Sequence, residues 1–141
     1  VILSSKIKKT FLSDPKFLKY KGFKVGDQAK PYYELLYLPF KEEAGIPKFN
    51  ECAKNARTNK KGVVIYYSNQ CPHTEKYVGL VGDIAIERGV KFEKIKYLSS
   101  VQAQNAPAPF TTYSLFFNGE FISNEIYSEK MFLKFLDEIK S

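Results

Sequence analysis

The stretch VVIYYSNQCPHT, residues 63–74, is the most informative part of the chain. Five residues that favour a buried strand lead into a short polar loop, a Cys-Pro pair and an amphipathic helical pattern. This order predicts that Cys71 lies in the first turn of a helix, just beyond the carboxyl end of a strand. Backbone N–H groups and the positive end of the helix dipole favour a thiolate there. Pro72 fits the first helical position, where its missing N–H leaves no hydrogen bond unmade.

Hydrophobic periodicity predicts the order β-α-β-α-β-β-α from Gly62 onwards. The continuous apolar strand 62–67, a helix over 72–88 ending at Gly89 and a strand over 90–98 form a parallel βαβ unit. The remaining predicted elements are a short helix at 99–106, a strand at 111–117, a hairpin turn at Asn118-Gly119, a strand at 120–126 and a last helix capped by Ser128. The apolar face predicted for that last helix comprises Met131, Phe132, Phe135, Leu136 and Ile139.

Residues 63–74 resemble the strand and active-site turn of thioredoxin-fold proteins, and of glutaredoxins in particular, whose motif is Cys-Pro-x-Cys. The element order is that of the thioredoxin fold and comes from periodicity alone, so the two arguments are independent. Thr74 stands where the second cysteine would be. An internal disulfide within this turn is therefore excluded, and only monothiol chemistry through Cys71 remains. The alternative is that Cys71 is a partly buried small residue without a chemical role.

The same resemblance implies a cis proline opposite the active-site cysteine, just before the third strand. Pro107 and Pro109 are the two candidates, and we favour Pro109. Its backbone would then lie beside Cys71 and form one wall of a cleft for an extended thiol substrate. A rigid loop with both bonds trans is the alternative, which base rates favour. The binding residues expected around Cys71 are Pro72, His73, Thr74, Pro109 and Phe110.

His73 and Cys52 are the other side chains with metal-ligating or redox potential. Together with Cys71 they provide three ligands, which is few for a zinc or copper site, so we expect no metal. A protonated His73 could lower the pKa of the Cys71 thiol, or its imidazole could face solvent without a role. Cys52 could form a disulfide with an oxidised Cys71, but we favour an ordinary cysteine in a lightly packed segment.

The N-terminal part carries a second pattern of elements. A strand at residues 1–5, a short helix at Pro15–Tyr20, a Gly22-Phe23 turn and a strand at residues 33–38 follow one another. This order resembles the carboxyl end of a GNAT-type acetyltransferase domain, where a helix runs into a Gly-Phe turn before the last hairpin. Taken together with the C-terminal part, the chain resembles GNAT proteins with a YoaP-like thioredoxin-fold extension.

This resemblance implies three parts of the chain. Residues 1–41 would be a C-terminal fragment of a GNAT-type acetyltransferase domain, and residues 62–141 a YoaP-like thioredoxin-fold domain. The polar composition of residues 42–61 predicts a linker with a short helix near residues 50–56. The thioredoxin-fold domain would then be an accessory or substrate-recognition module. The alternatives are a monothiol redox or thiol-carrier module that uses Cys71, and a structural domain that holds a dimer together.

Two absences limit the activity that the resemblance implies. GNAT enzymes bind the acetyl-CoA pyrophosphate on an Arg/Gln-x-x-Gly-x-Gly/Ala loop, and the sequence contains no such loop. Many also place a tyrosine general acid four residues before the Gly of the Gly-Phe turn, where this chain has Leu18, and Tyr20 is two residues away. We therefore expect no cofactor and no acetyl transfer in this chain alone. Acetyl-CoA would serve a longer parent protein, and the expected partners are the missing acetyltransferase portion, a second copy of the chain and a small thiol.

Composition excludes several other classes of protein. The chain has 141 residues, 44% of them hydrophobic, yet no apolar run near 18 residues, so we expect no membrane span. Two cysteines and the lack of a secretory leader favour the cytoplasm. The net charge of +7 suggests nucleic acid, but only two of the 22 basic residues are arginine, the residue that reads guanine edges. We therefore expect no specific nucleic-acid partner.

Overall fold

The computed structural model describes residues 1–140 as a mixed α/β protein with two β-sheets. The chain divides into two compact units. The N-terminal unit comprises Val1–Ala56 together with Gln104–Phe110, and the C-terminal unit comprises Arg57–Ala103 together with the residues from Thr111 onwards. Each unit contains one of the two sheets.

The N-terminal unit contains a three-stranded antiparallel sheet with two short helices. Its elements are β1 (Ile2–Ser5), α1 (Pro15–Tyr20), β2 (Lys24–Ala29), β3 (Tyr33–Tyr37) and α2 (Glu51–Lys54). The strand order is β1-β3-β2, so β3 is central. Helix α1 begins as predicted, because Pro15 occupies its first turn and the Asp14 carboxylate accepts a hydrogen bond from the Lys16 N–H at 2.9 Å. Helix α2 confirms the short helix predicted near residues 50–56.

Strand β1 confirms the strand predicted at the N-terminus, but its apolar residues are not its most buried ones. It lies at the edge of the sheet and pairs only with β3. Ile2 and Leu3 are half-buried, whereas Ser4 and Ser5 are completely buried. The serine hydroxyls can be buried because they donate hydrogen bonds to backbone carbonyl oxygens, that of Ser4 to Ser13 at 2.7 Å and that of Ser5 to Ile7.

The C-terminal unit contains the four-stranded sheet, whose order is β5-β4-β6-β7. Its elements are β4 (Val63–Tyr67), α3 (Thr74–Glu87), β5 (Phe92–Lys96), β6 (Tyr113–Phe117), β7 (Glu120–Ser123), α5 (Glu129–Lys140) and α4 (Ser100–Gln104), whose last residue belongs to the N-terminal unit. Strand β4 is parallel to β5 and antiparallel to β6, and β6 is antiparallel to β7. The element order predicted from periodicity, including the parallel βαβ unit, is therefore confirmed. Within residues 1–140 we find no helix that combines the length and the apolar character needed to cross a bilayer.

The core of the C-terminal unit is built around β4, in which all five residues are buried. Helices α3 and α5 contribute the side chains that cover this strand. The buried residues of α3 include Val78, Val81, Ile84 and Ala85, and those of α5 are Phe132, Phe135 and Leu136. Met131 was expected in the same stripe but is 36% exposed. It lies at the edge of the stripe, because each helical residue turns the side chain by about 100°.

Backbone geometry confirms the predicted hairpin turn and the predicted end of the first long helix. Asn118 and Gly119 have φ angles of 49° and 90°, as the tight hairpin between β6 and β7 requires. Helix α3 ends just before Gly89, whose φ is 68°, and the Val90 N–H donates to the carbonyl of Ala85 at 2.8 Å. Ser128 also acts as predicted, since its hydroxyl accepts from the Met131 N–H at 3.4 Å.

The predicted cis bond before the third strand is wrong. Among residues 1–140 the cis peptide bond is Lys30–Pro31, and the bonds before Pro107 and Pro109 are trans. In this loop the alanines are buried, Ala106 to 3% and Ala108 to 2% exposure, while the prolines are half-exposed. The trans form is the more stable one for most X-Pro bonds, and the chain forms bends at residues 107–109 without a cis bond.

Candidate functional site

The candidate site lies at the carboxyl end of β4, where the chain leaves the sheet. The last backbone bonds of this region are those from the Tyr97 N–H to the Tyr67 carbonyl at 2.8 Å and from the Ser68 N–H to the Thr112 carbonyl at 3.3 Å. Cys71 follows three residues later and is half-buried. We call residues 71–74 the Cys71 turn.

The start of α3 differs from the sequence expectation. The helix begins at Thr74 with His73 as its N-cap, so Pro72 is not at the first helical position. The Cys71 carbonyl instead accepts a hydrogen bond from the Thr74 N–H at 3.2 Å. This bond closes a tight turn with Pro72 at its second position, where the fixed φ of proline is favoured. Cys71 therefore lies just before the helix and not within its first turn.

The polar groups of His73 and Thr74 lower the pKa of the Cys71 thiol. The backbone N–H of His73 makes the largest contribution, followed by the Thr74 hydroxyl and the Thr74 N–H, and together they hold the pKa of the Cys71 thiol below its ordinary value. Partial burial opposes this effect, because it disfavours the charged thiolate. The exposed imidazole of His73 is not among the causes, so the residue acts through its backbone.

The Thr74 hydroxyl is the most unusual member of this group of donors. Thr74 is completely buried, and its Oγ1 has no hydrogen-bond partner within residues 1–140. A buried hydroxyl without a partner costs free energy, and the Thr74 side chain is one of the causes that lower the pKa of the Cys71 thiol. Thr74 thus contributes a donor where the Cys-Pro-x-Cys motif has its second cysteine.

Gln70 ties the Cys71 turn to the residues just before β6. Its side-chain amide donates to the Thr111 hydroxyl at 3.4 Å, and its carbonyl oxygen accepts from the Thr112 hydroxyl at 2.9 Å. These bonds restrain the chain between β4 and α3. Gln70 is a site residue that the sequence alone does not reveal, because its only signal is an amide between two elements and a Thr-Thr pair more than forty residues away.

An ion pair anchors the other side of the site. Lys96, the last residue of β5, contacts Glu75 in the first turn of α3 with 2.8 Å between Nζ and Oε2. Lys96 holds the pKa of the Glu75 carboxyl below its ordinary value, mainly through this hydrogen bond. Burial raises the pKa of Tyr67, which lies under Lys96. Lys96 therefore balances the negative charge of Glu75, which lies four residues after Cys71 in the sequence.

A groove with an apolar floor lies elsewhere in the C-terminal unit, between α3 and α5. Its volume is about 720 Å³. The lining residues are Lys76, Tyr77, Leu80, Ser128, Glu129, Lys130, Leu133, Lys134 and Asp137. None of them belongs to the Cys71 turn, so this groove is separate from the predicted binding residues.

The structure unites four of the predicted site residues and leaves two untested. Cys71, Pro72, His73 and Thr74 form one turn of the C-terminal unit. Pro109 and Phe110 belong to the N-terminal unit, so their part in a cleft with Cys71 remains a prediction.

Cys52 has a different setting from Cys71. It is exposed in α2, and its thiol donates to the carbonyl oxygen of Gln104 at 3.4 Å. Both cysteines are free. Across residues 1–140, we find no group of three or more histidine, cysteine or acidic side chains arranged to hold a metal ion.

Comparison with known proteins gives two similarities. The family model described as YoaP-like matches residues 91–134, which run from the start of the β5 region into α5. The "Uncharacterized N-acetyltransferase YoaP" of Bacillus subtilis (strain 168) is 36% identical over 137 residues, which is 97% of this chain and 55% of that protein. These similarities support an acetyltransferase-related family. The chain spans about half the length of this relative. No solved structure matches the chain.

Proposed function

We propose that this chain is the C-terminal region of a GNAT-type N-acetyltransferase and that its C-terminal unit is an accessory module that recognises the acceptor substrate. The observation that carries the proposal is the 36% identity to a protein named as an N-acetyltransferase. That similarity extends over 97% of the chain and therefore includes both compact units. A shared sequence across both units favours a common role for them in one protein.

A thioredoxin-like identity of the C-terminal unit is part of this proposal. The order β5-β4-β6-β7, with its first two strands parallel and the others antiparallel, supports it. A cysteine turn at the end of the central strand, followed by a long helix, supports it as well. In our proposal the Cys71 turn forms the recognition cleft, because it presents a partly exposed sulfur and hydrogen-bond donors at one edge of the sheet.

A GNAT-like identity of the N-terminal unit is the second part. Helix α1 runs into Gly22, whose φ of 95° makes the turn before the β2–β3 hairpin. Leu18 is buried at the position of the family's tyrosine acid, and Tyr20 is 83% exposed. The chain alone therefore offers neither that acid nor a pyrophosphate loop. Acetyl-CoA would be bound by other parts of a longer protein.

The test compares this chain with a longer protein that contains it. We expect the longer protein to acetylate primary amines with saturation by acetyl-CoA, and the chain alone to show no such turnover. Substitutions in the Cys71 turn of the longer protein should raise KM for the preferred acceptor in an amine panel. They should leave kcat for a minimal amine such as methylamine nearly unchanged. Saturable turnover by the chain alone, or an unchanged acceptor KM, would refute the proposal.

A second candidate function is a monothiol redox module, and the lowered pKa of Cys71 favours it. In this case Cys71 would form a mixed disulfide with a small thiol such as glutathione. The test is to expose the Cys52→Ser variant to glutathione disulfide and measure the mixed disulfide by intact mass. A reaction at Cys71 no faster than that of Cys52 in a Cys71→Ser variant would eliminate this candidate.

A further inference from the structure

The groove between α3 and α5 has the size and the lining of a site for a small ligand. Its volume of about 720 Å³ falls within the range of roughly 300–1,000 Å³ that small-molecule sites occupy. Leu80 of α3 and Leu133 of α5 form its floor, and both are half-buried side chains that pack against the hydrophobic core. The groove therefore offers apolar surface that a ligand can reach from outside.

Three lysines line the groove above this floor. Lys76 is exposed on α3, and Lys130 and Lys134 are exposed one helical turn apart on α5. Positive charges at this spacing repel each other and destabilise a helix slightly. None of the three lysines forms an ion pair within residues 1–140. An anion bound between them would relieve this repulsion.

Two acidic residues limit the basic part of the groove to the middle of its α5 wall. Glu129 stands at the start of α5, and Asp137 stands three positions after Lys134. Lys130 and Lys134 lie between these two acids along the helix. Because the ends of the wall are acidic and its middle is basic, the groove suits one anionic group and not an extended acidic surface.

Two hydroxyl groups add polar contacts to this apolar lining. The Ser128 hydroxyl accepts a hydrogen bond from the Met131 N–H at 3.4 Å, so its own proton can be donated to a ligand. Tyr77 of α3 is half-buried in the lining and carries a second hydroxyl. Small-molecule sites commonly combine apolar walls with a small number of polar groups that orient the ligand.

We propose that this groove binds a small amphipathic anion, a molecule with an apolar chain or ring and one carboxylate, sulfonate or phosphate group. The apolar part lies on Leu80 and Leu133, and the anionic group contacts the lysines of α5. This inference goes beyond the proposed function and depends on neither acetyl transfer nor Cys71. Neither similarity described above assigns a binding site to these residues.

The dimensions and the charge of the molecule disfavour larger occupants. The α3 wall extends only over residues 76–80, which is about 6 Å along a helix axis. A bound amphipathic helix is held by residues from i to i+7, a span of about 10 Å, so this wall is too short for it. A second copy of the chain is disfavoured because each copy carries a net charge of +7.

The experiment titrates the full chain with decanoate at neutral pH and follows the leucine methyl signals by NMR. We expect the signals of Leu80 and Leu133 to shift and to saturate. Decanoate should bind roughly tenfold more tightly than hexanoate, because its longer chain buries more apolar surface. Decylamine has an equally long chain and the opposite charge, and it should bind several-fold more weakly. Equal affinities for decanoate and decylamine, or shifts that do not saturate, would overturn the proposal.

Lysine variants test the anionic contact. Lys130→Gln and Lys134→Gln should each raise the Kd for decanoate several-fold and leave the Kd for uncharged decanol nearly unchanged. The matched control is Lys61→Gln, which removes an exposed lysine of the same unit that does not line the groove. All three positions are exposed, so we expect the variants to fold, and their NMR spectra verify this. An equal effect of Lys61→Gln and Lys134→Gln would overturn the role of the groove lysines.

A last titration distinguishes a small ligand from a protein partner. A synthetic acidic peptide that forms an amphipathic helix is added to the chain under the same conditions. We expect it to bind roughly tenfold more weakly than decanoate, because the α3 wall is short and the ends of the α5 wall are acidic. Tighter binding of the peptide at Leu80 and Leu133 would overturn the small-ligand proposal and favour an interface with another protein.

Discussion

The two cysteines of this chain stand in opposite hydrogen-bonding roles. The sulfur of Cys52 donates its proton to the Gln104 carbonyl oxygen, a contact that exists only in the thiol form. The His73 N–H and Thr74 instead hold the pKa of the Cys71 thiol below its ordinary value, which favours the thiolate form. Cys52 is the more exposed of the two. The difference between the two cysteines shows that the polar groups beside the sulfur, and not its exposure, decide whether the thiol or the thiolate form is favoured.

The largest expected effect comes from breaking the frame that holds Cys71. Ile65 is completely buried in β4, and Ile65→Ala should lower the free energy of unfolding of the C-terminal unit by about 2–5 kcal/mol. Urea denaturation measures this change. At a urea concentration that unfolds only the variant, Cys71 and Cys52 should be alkylated at equal rates. A persisting advantage of Cys71 would show that its reactivity does not depend on the fold.

Gln70 tests whether the restraint on the Cys71 turn matters. Gln70→Ala removes its bonds to Thr111 and Thr112, and the free energy of unfolding should fall by about 0.5–1.5 kcal/mol. The alkylation rate of Cys71 should also fall, because the turn is then free to move away from its donors. The neighbouring Asn69→Ala variant is the control. An equal effect of the two substitutions would contradict a specific role for Gln70.

The pH dependence of stability should differ between the native chain and a Cys71→Ser variant. A pKa lower in the folded than in the unfolded state adds stability above the unfolded value of about 8.5. That contribution disappears as the pH falls through the folded pKa. Thermal unfolding should therefore show the native chain gaining stability relative to the variant between neutral pH and about pH 9. A constant or shrinking difference would contradict the lowered pKa.

The smallest expected effect belongs to the imidazole of His73. His73→Ala keeps the backbone N–H that contributes most to the thiolate, so the pKa of the Cys71 thiol should stay within the error of the measurement. The pH profile of alkylation in the Cys52→Ser background gives this value. A clear rise in the pKa would show that the imidazole, and not the backbone, stabilises the thiolate.

Local patterns made much of the C-terminal unit predictable. The alternation and spacing of apolar residues gave the order of its strands and helices, and Asn118-Gly119 marked its hairpin. The cysteine turn was recognisable because a buried strand, a Cys-Pro pair and a helix follow one another within residues 63–74. The exact start of α3 could not be recognised in the same way, because Pro72 suits both a first helical position and the second position of a tight turn.

Contacts between distant residues could not be predicted from the sequence. Gln70 and Thr112 are 42 residues apart, and Glu75 and Lys96 are 21 apart, so no local pattern couples them. The burial of Ser4 and Ser5 was equally hidden, because it depends on carbonyl oxygens supplied by a neighbouring loop.

The most direct measurement is the pH dependence of iodoacetamide alkylation of Cys71 in the Cys52→Ser chain. We expect an inflection below the ordinary thiol pKa of about 8.5, and a shift of that inflection to higher pH in Thr74→Val. An inflection at or above the ordinary value, unchanged in Thr74→Val, would contradict it. The Cys71 turn would then keep the shape of a reactive site without its chemistry.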